Sequence, residues 1–472
     1  MPTSPQHFEF VVIGGGSAGY SAARSAANDY GLNTAVIDGS ETLGGLCILK
    51  GCMPSKALIE SAKRARDIKD APEFGLGSNE AQVDLPAIIK RKQRLIDDFA
   101  SYRQEQLEGG TFELIRGTAG FADEHTLNVK LKDSDETIQI TADSICIATG
   151  SRIASIDLPG LQESGYLTSD DILNAEELPD TITVLGGGAI ALEMACYLEG
   201  LGKKVTVIQR SGQLLRGADA DIAKALEDAM RSRGIEIFTG TGLSKVETRD
   251  GLKVVHFEQS GHPKEVASEE LLYALGRAPN TDKLNLEAIN VEMRGRHIAA
   301  NSSMATSIPH IFAAGDVTGP HEIVHIAIEQ GEIIAQNTAI LLGKSDKGLR
   351  EIDYRLKLYG VFSTPQVAWV GMTSDEAANQ ELDFACATYP FDDHGKSMIM
   401  NEMHGFVKLI MNKQTGELIG GAVVGPEAVE LIHEIVVAMH FRSTAKDLLS
   451  IPHYHPTLSE IWSYPAEELA ES

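Results

Sequence analysis

One unit occurs twice in this 472-residue chain, and it restricts the possible folds more than any other feature. From Phe8 to Asp38 an apolar strand (FEFVVI) leads into a glycine turn, an alanine-rich helix and a second strand (TAVI) closed by an acid. From Ile182 to Arg210 the same order returns as TVL, a glycine turn, a helix (IALEMACYLEGLG) and the strand VTVI. Strand, crossover helix and strand in this order build a parallel α/β sheet. In the first copy the turn reads Gly14-x-Gly16-x-x-Gly19, and Asp38 stands 19 residues past the last glycine. Such glycines let the backbone approach a pyrophosphate seated at a helix N-terminus, and the acid is placed to accept hydrogen bonds from a ribose. Two such units predict two dinucleotides.

The rest of the chain is ordinary globular material. Between the repeats, Asp70 to Arg116 has helical periodicity, and TLNVKLK and IQITADSICIATG look like small sheet elements. From about Glu351 onward, strands (VKLIM, IGGAVVG) and a helix (VELIHEIVVAMHF) fit one further domain. Lys and Arg number 41 against 67 Asp and Glu, a net charge of −26, which argues against nucleic acid or an anionic membrane as partner. MPTSPQHFEF lacks a basic n-region, and glycines interrupt the apolar run behind it, so neither a signal peptide nor a membrane span is expected. Five cysteines, an odd and small number for this length, point to a reducing cytoplasm.

Two of those cysteines, Cys47 and Cys52, lie within GGLCILKGCMPSKAL among Gly44, Gly45, Gly51 and Pro54. The bland alternative is a pair of buried small hydrophobes. Thiols at the N-terminus of the helix that SKALIESAKRA predicts, near Lys50 and Lys56, would instead have depressed pKa values and be reactive. Zinc would need further Cys or His ligands in a closing pair, so a redox-active dithiol is the better reading. Near the C-terminus, His455-Pro456 predicts an extended histidine just before a helix, with Glu460 following on it. A carboxylate that fixes a histidine's tautomer suits general acid-base catalysis. Thr457-x-x-Glu460 also satisfies a capping box, in which the glutamate serves only the helix. The second glycine turn, Gly186-x-Gly188-x-x-Ala191, is followed at its strand end by Gln209 and Arg210 in place of an acid. Losing the acid removes repulsion toward a 2′-phosphate, which Arg210 and Arg216 are placed to clamp, unless both are simply solvated surface residues.

These motifs resemble the flavoprotein pyridine nucleotide-disulfide oxidoreductases, the family of lipoamide dehydrogenase, glutathione reductase and mercuric reductase. The resemblance covers essentially the whole chain. It runs through GGGSAG, the cysteine segment, ATG at Ala148–Gly150, GGGAIALE at Gly186–Glu193, GRAPNT at Gly276–Thr281, AAGD at Ala313–Asp316 and HPTLSE at His455–Glu460. It implies an α/β fold of two Rossmann-like dinucleotide-binding domains and a C-terminal α+β dimerisation domain. FAD would be held by residues 1–150 and 276–348, NAD(P) by 151–275, and a homodimer with shared active sites formed by 349–472. FAD contacts are expected from Gly14, Gly16, Ser17, Ala18 and Gly19, from Asp38, Gly44 and Gly45, and from Ala119 at the adenine. Thr149 and Gly150 add to them, Gly276 is expected as a further cofactor contact, and Asp316, Gly315 and the backbone at Val324 and His325 would meet the ribityl chain. Lys56 and Glu193 would flank the isoalloxazine.

The resemblance further implies electron transfer from NAD(P)H through FAD to the Cys47–Cys52 pair and on to a small disulfide, or the reverse from a dithiol. Cys52 would be the flavin-proximal sulfur and Cys47 the attacking thiol, with His455 of a second subunit, oriented by Glu460, handling the proton. The loop at Gln209 looks like glutathione and mercuric reductases, so NADP(H) is expected over NAD(H). Leu46 and Leu49 replace the usual Thr and Asn beside the first cysteine. Glu332 stands where glutathione reductase would place an arginine, although Ser17 and Arg24 match that enzyme's other substrate positions. The C-terminus carries no vicinal cysteines of the mercuric reductase kind. A dihydrolipoyl dehydrogenase-like activity is expected first, a reductase of another small disulfide, a metal ion or a quinone second, and a non-enzymatic redox-sensing flavoprotein third. No resident metal is expected, and the His321, His325 pair is not read as a metal site.

Overall fold

A computed structural model describes residues 5–77, 81–134 and 136–471. The chain divides into two units, Met1–Pro54 with Lys90–Ala154 and Arg277–Asp353, and Ser55–Ile89 with Ser155–Gly276 and Tyr354–Ser472.

The first unit is built on a seven-stranded sheet. Its strands are β1 (Gln6–Ile13), β2 (Thr34–Ile37), β3 (Glu113–Ile115), β4 (Gly117–Asp123), β5 (Thr126–Leu131) and β6 (Thr137–Ile147), in the order β3-β2-β1-β6-β5-β4, with Ile311–Ala313 also pairing β6. β3, β2, β1, β6 and Ile311–Ala313 run parallel, in a register that sets Val12 beside both Val36 and Cys146. Continuous apolar runs such as FVVI suit such strands, because helices cover both faces. β5 and β6, expected as small sheet elements, belong to this sheet. The alternating first half of β6 pairs antiparallel with β5, and its uniformly buried second half (SICI) lies beside β1. Helix α1 (Ser17–Tyr30) presents small residues to the helix Val324–Leu341. A Cβ on Gly331 would lie 2.3 Å from the Ala18 carbonyl oxygen, so only glycine permits this approach.

The expected helical stretch Asp70–Arg116 is broken. After α2 (Gly45–Leu49), helix α3 (Cys52–Asp70) gives way to a single 3₁₀ turn over Ala71–Phe74, and α4 spans Leu85–Glu108 before β3 begins. Pro72 follows the end of the first helix, the left-handed Gly75 closes the 3₁₀ turn, and Gly109 and Gly110 follow the second helix.

The second unit holds a five-stranded parallel sheet, ordered Glu236–Phe238, Lys204–Ile208, Thr181–Leu185, Glu270–Tyr273 and Leu167–Thr168. An antiparallel sheet of three strands (Thr241–Arg249, Leu252–Gln259, His262–Ser268) joins it. A five-stranded antiparallel sheet forms the C-terminal part, ordered Leu358–Val361, Gln366–Gly371, Leu418–Gly425, Phe406–Asn412 and Phe384–Pro390. Helix Ala428–His440 buries Leu431, Ile432 and Ile435 against it. Among the described residues, no helix is long and apolar enough to cross a membrane.

Candidate active site

Both glycine turns adopt the geometry that a dinucleotide needs. Gly14 has φ +105°, and a Cβ there would lie 2.4 Å from the Ala148 carbonyl oxygen. Gly16 begins α1 with no side-chain cap, and no atom lies within 4 Å of where its Cβ would stand. Open space beside Gly16 at an uncapped helix start is what an anion site requires. Asp38 closes the turn. Its Oδ2 accepts from the Gly15 N–H at 2.8 Å and its Oδ1 from the Ser40 N–H at 2.8 Å, so the acid also braces the glycine loop, a duty that spacing alone did not reveal.

The other residues expected at FAD in this unit gather round the same turn. Gly315 faces Ala18 and Ala327, whose Cβ atoms lie 3.4 and 3.7 Å from the position its own Cβ would take. Asp316 receives the Ser151 hydroxyl at 2.5 Å, and Arg277 donates to that hydroxyl at 2.8 Å and to the Ser151 carbonyl at 2.9 Å. Thr149 and Gly150 are fixed by Asn280, through bonds of 2.7, 3.0 and 2.9 Å. Val324 and His325 start an 18-residue helix that has no side-chain cap. Ala119 is buried on β4.

The cysteine loop starts against the glycine turn. A Cβ on Gly45 would touch the Gly16 Cα at 2.8 Å. Cys47 lies inside the short helix α2 and not at a helix start, whereas Cys52 is the first residue of α3. Gly51 doubles back on α2 so closely that its Cβ would lie 3.2 Å from the Cys47 Cα. Leu49 packs over Gly44, at 3.2 Å from the corresponding Cβ position. Arg103, which the sequence reading missed, stacks 4.0 Å from the Tyr20 ring centroid. Burial holds its guanidinium below its ordinary pKa, partly opposed by Tyr20 and Cys47. Cys146 and Cys196 are fully buried, and burial raises both thiols, Cys196 to about 11. Glu332 sits 3.7 Å from Arg350, which tempers the charge that would repel glutathione.

In the second unit Gly186 (φ +123°) would place a Cβ 2.3 Å from the Ala274 carbonyl oxygen, and Ala191 packs beneath it. Gly188 starts the helix Ala189–Gly200 uncapped, again with nothing within 4 Å. Gln209 lies against Gly187 and takes the Arg210 N–H at 3.1 Å. Arg210 and Arg216 are exposed, and neither guanidinium forms an ion pair among the described residues. Gly276 has φ +112° and open space beside it. Both turns therefore fit the dinucleotides expected of them.

Glu193 is buried and accepts the Lys56 ammonium on both oxygens, at 2.9 and 2.8 Å, together with the Phe362 N–H at 3.0 Å. Lys56 also sits 4.7 Å from the Phe362 ring centroid. Its charge is paired with Glu193. At the C-terminus, His455 Nδ1 lies 2.9 Å from Glu460 Oε2, with the imidazole 79% and the carboxylate 12% exposed. The capping box is not formed. Thr457 Oγ1 is buried without a hydrogen-bond partner, and the 3₁₀ turn Ser459–Trp462 starts after Leu458, later than expected. The His455–Pro456 bond is cis. His453 binds Glu434 at 2.6 Å. Among the described residues no group of three or more His, Cys, Asp or Glu could hold a metal.

Known proteins agree with this geometry. Residues 8–331 match the pyridine nucleotide-disulphide oxidoreductase family, and residues 359–466 match that family's dimerisation domain. The chain is 33% identical over 461 residues to a dihydrolipoyl dehydrogenase of Geobacillus stearothermophilus, covering 97% of this chain and 95% of the relative. It is also 33% identical over 446 residues to a mercuric reductase of Staphylococcus aureus, covering 93% and 78%. The solved Cu(II) complex of the HOCl-induced flavoprotein disulfide reductase RclA from Escherichia coli superposes with a TM-score of 0.85 at 27% identity, covering 98% and 99%. The chain belongs to the pyridine nucleotide-disulphide oxidoreductase family and is a flavoprotein disulfide oxidoreductase that uses FAD and NAD(P)H.

Proposed function

We propose that the chain reduces a small disulfide at the expense of NADPH through Cys47 and Cys52, and works as a cytoplasmic homodimer with shared active sites. Seating of the cysteine loop directly on the first glycine turn carries this reading, since the loop begins at Gly45 against Gly16. Gly14–Gly19, Asp38 and Asp316 would hold FAD, which would supply two-electron transfer between the nicotinamide and the cysteine pair when bound. NADPH is assigned to Gly186–Ala191, with Arg210 and Arg216 at its 2′-phosphate. The Cys47 thiolate attacks one sulfur of the substrate, forming a mixed disulfide and expelling the other sulfur as a thiolate, which takes a proton from His455 of the partner subunit. Cys52 then attacks Cys47, closing the Cys47–Cys52 disulfide and releasing the second thiol. Each turn consumes NADPH, a proton and one disulfide, and yields NADP+ and two thiols. Run in reverse, the same groups oxidise a dithiol, as in the dihydrolipoyl dehydrogenases.

Similarity to the mercuric reductase and to the Cu(II)-bound RclA favours one second reading, in which the reduced dithiol passes its electrons to a soft metal ion. Turnover of NADPH with lipoamide, glutathione disulfide, Cu(II) and a quinone in parallel tests both. Activity on a disulfide that Cys47→Ser abolishes supports the first. Activity on Cu(II) alone supports the second, and none with any acceptor contradicts both.

A further inference from the structure

His394 is 0% exposed, and nothing in the resemblance assigns it a role. Its ring stands edge-on to Phe391 and Tyr464. Its Nδ1 lies 2.8 Å from the hydroxyl of Ser397, which is itself fully buried. Its buried Nε2 makes no hydrogen bond and faces Glu460 Oε1 at 3.5 Å, on the far side of the same carboxylate whose Oε2 meets His455 Nδ1 at 2.9 Å. One carboxylate is thus set between two imidazoles, one buried and one exposed.

The tautomer of the buried ring follows from electrostatics. A bare nitrogen lone pair facing a buried carboxylate is repulsive, whereas an N–H there is attractive. Ser397 therefore donates to Nδ1, and Nε2 carries the proton. Burial holds His394 below the usual histidine range, against the pull of the Glu460 charge, and His455 adds to the downward shift. The Thr457 backbone also acts on the ring and opposes the downward shift, and the Tyr464 ring beside it is stacked by Tyr389, which binds Asp393.

We propose that His394 is a positioning residue for the acid-base pair: its neutral Nε2–H engages Glu460 Oε1, so that Oε2 stays aimed at His455 Nδ1 and His455 Nε2 is left to exchange the substrate's proton. The inference rests on the acid-base reading of His455 and Glu460 given above. Without that N–H the carboxylate is freer to rotate, and its hold on the His455 imidazolium weakens.

The test uses FAD-loaded dimers of the wild type, His394→Phe, His394→Asn, Glu460→Gln and the Phe/Gln double variant. Flavin reduction by NADPH and the later disulfide step are followed separately across the pH range in which histidine titrates. His394→Phe is expected to leave flavin reduction unchanged, slow the disulfide step about ten-fold, and move the basic limb of its pH profile to lower pH. His394→Asn, which keeps an N–H donor, is expected to recover most of the rate. In the Glu460→Gln background, His394→Phe is expected to add no further loss. An unchanged rate and profile in His394→Phe, or the same extra loss in the Glu460→Gln background, overturns the inference. If Glu460→Gln alone leaves the disulfide step untouched, the acid-base reading itself fails. Should His394→Phe not fold, ¹⁵N spectra of histidine-labelled wild type decide: a neutral, Nε2-protonated His394 supports the inference, and an Nδ1–H tautomer or a cation overturns it.

Discussion

Arg210 and Arg216 hold permanent charge, and neither forms an ion pair among the described residues. Gln209, folded back onto Gly187, brings no negative charge to the ribose. A charge-assisted hydrogen bond is worth about 1.5 to 3 kcal/mol, and screening at exposed side chains lowers that, so the net preference for NADPH should be roughly ten-fold. Arg210→Ala and Arg216→Ala are expected to raise KM for NADPH by about that factor and leave NADH nearly unchanged. Steady-state kinetics at fixed ionic strength checks this, and equal turnover with NADH in the wild type would return both arginines to the solvated surface. Lys56 and Glu193 show what one residue's neighbourhood adds to a motif. Each lies in a recognisable segment, but the bidentate pairing and the Phe362 N–H on the same carboxylate come from chain 137 and 169 residues apart in sequence.

At the scale of elements, the site depends on how closely α1 and the helix Val324–Leu341 approach. Gly331→Ala would force a Cβ to 2.3 Å from the Ala18 carbonyl oxygen. Overpacking of this kind costs about 1 to 3 kcal/mol, and relief requires α1 to move with its glycine turn. The variant is expected to melt earlier and to bind FAD more weakly, as read by thermal denaturation with and without added flavin. Unchanged FAD affinity would show that the helix contact does not set the turn. The elements legible in the sequence are those whose cause is local. The glycine turns, the apolar parallel strands and the helix after Cys52 follow from nearby residues. What was misread depended on distant partners or on breakers. β6 looked minor until its apolar half was seen beside β1, and the stretch past Asp70 looked helical, but a 3₁₀ turn closed by Gly75 interrupts it. The Thr457–Glu460 spacing suggested a cap, but His455 and the buried His394, 66 residues upstream of Glu460, draw the glutamate away. His394 itself carries no motif, so only folding reveals it.

For the whole molecule, the His455 imidazole is 79% exposed while its Nδ1 faces Glu460. In the proposed reading each dimer holds two sites, and each site takes its dithiol from one chain and its histidine from the other. Mixing inactive Cys47→Ser with inactive His455→Ala chains, after reversible dissociation, should restore activity, because a heterodimer contains one site with both groups intact. A quarter of wild-type turnover is the rough ceiling for random pairing, since about half of the dimers then carry one working site of two. No recovery in a mixture shown to contain heterodimers would contradict shared sites.

The claim on which everything else depends is that electrons leave NADPH through Cys47 and Cys52. Mass spectrometry after anaerobic alkylation measures this directly, on air-oxidised protein and on protein given excess NADPH. Cys146 and Cys196 are buried, and their raised pKa values keep them thiols, so neither should react in the native state. Cys386 is exposed and should react in both samples. The account predicts that NADPH adds two labels per chain, at Cys47 and Cys52, and none elsewhere. Equal labelling of Cys47 and Cys52 with and without NADPH, in protein whose flavin has been reduced, would contradict it.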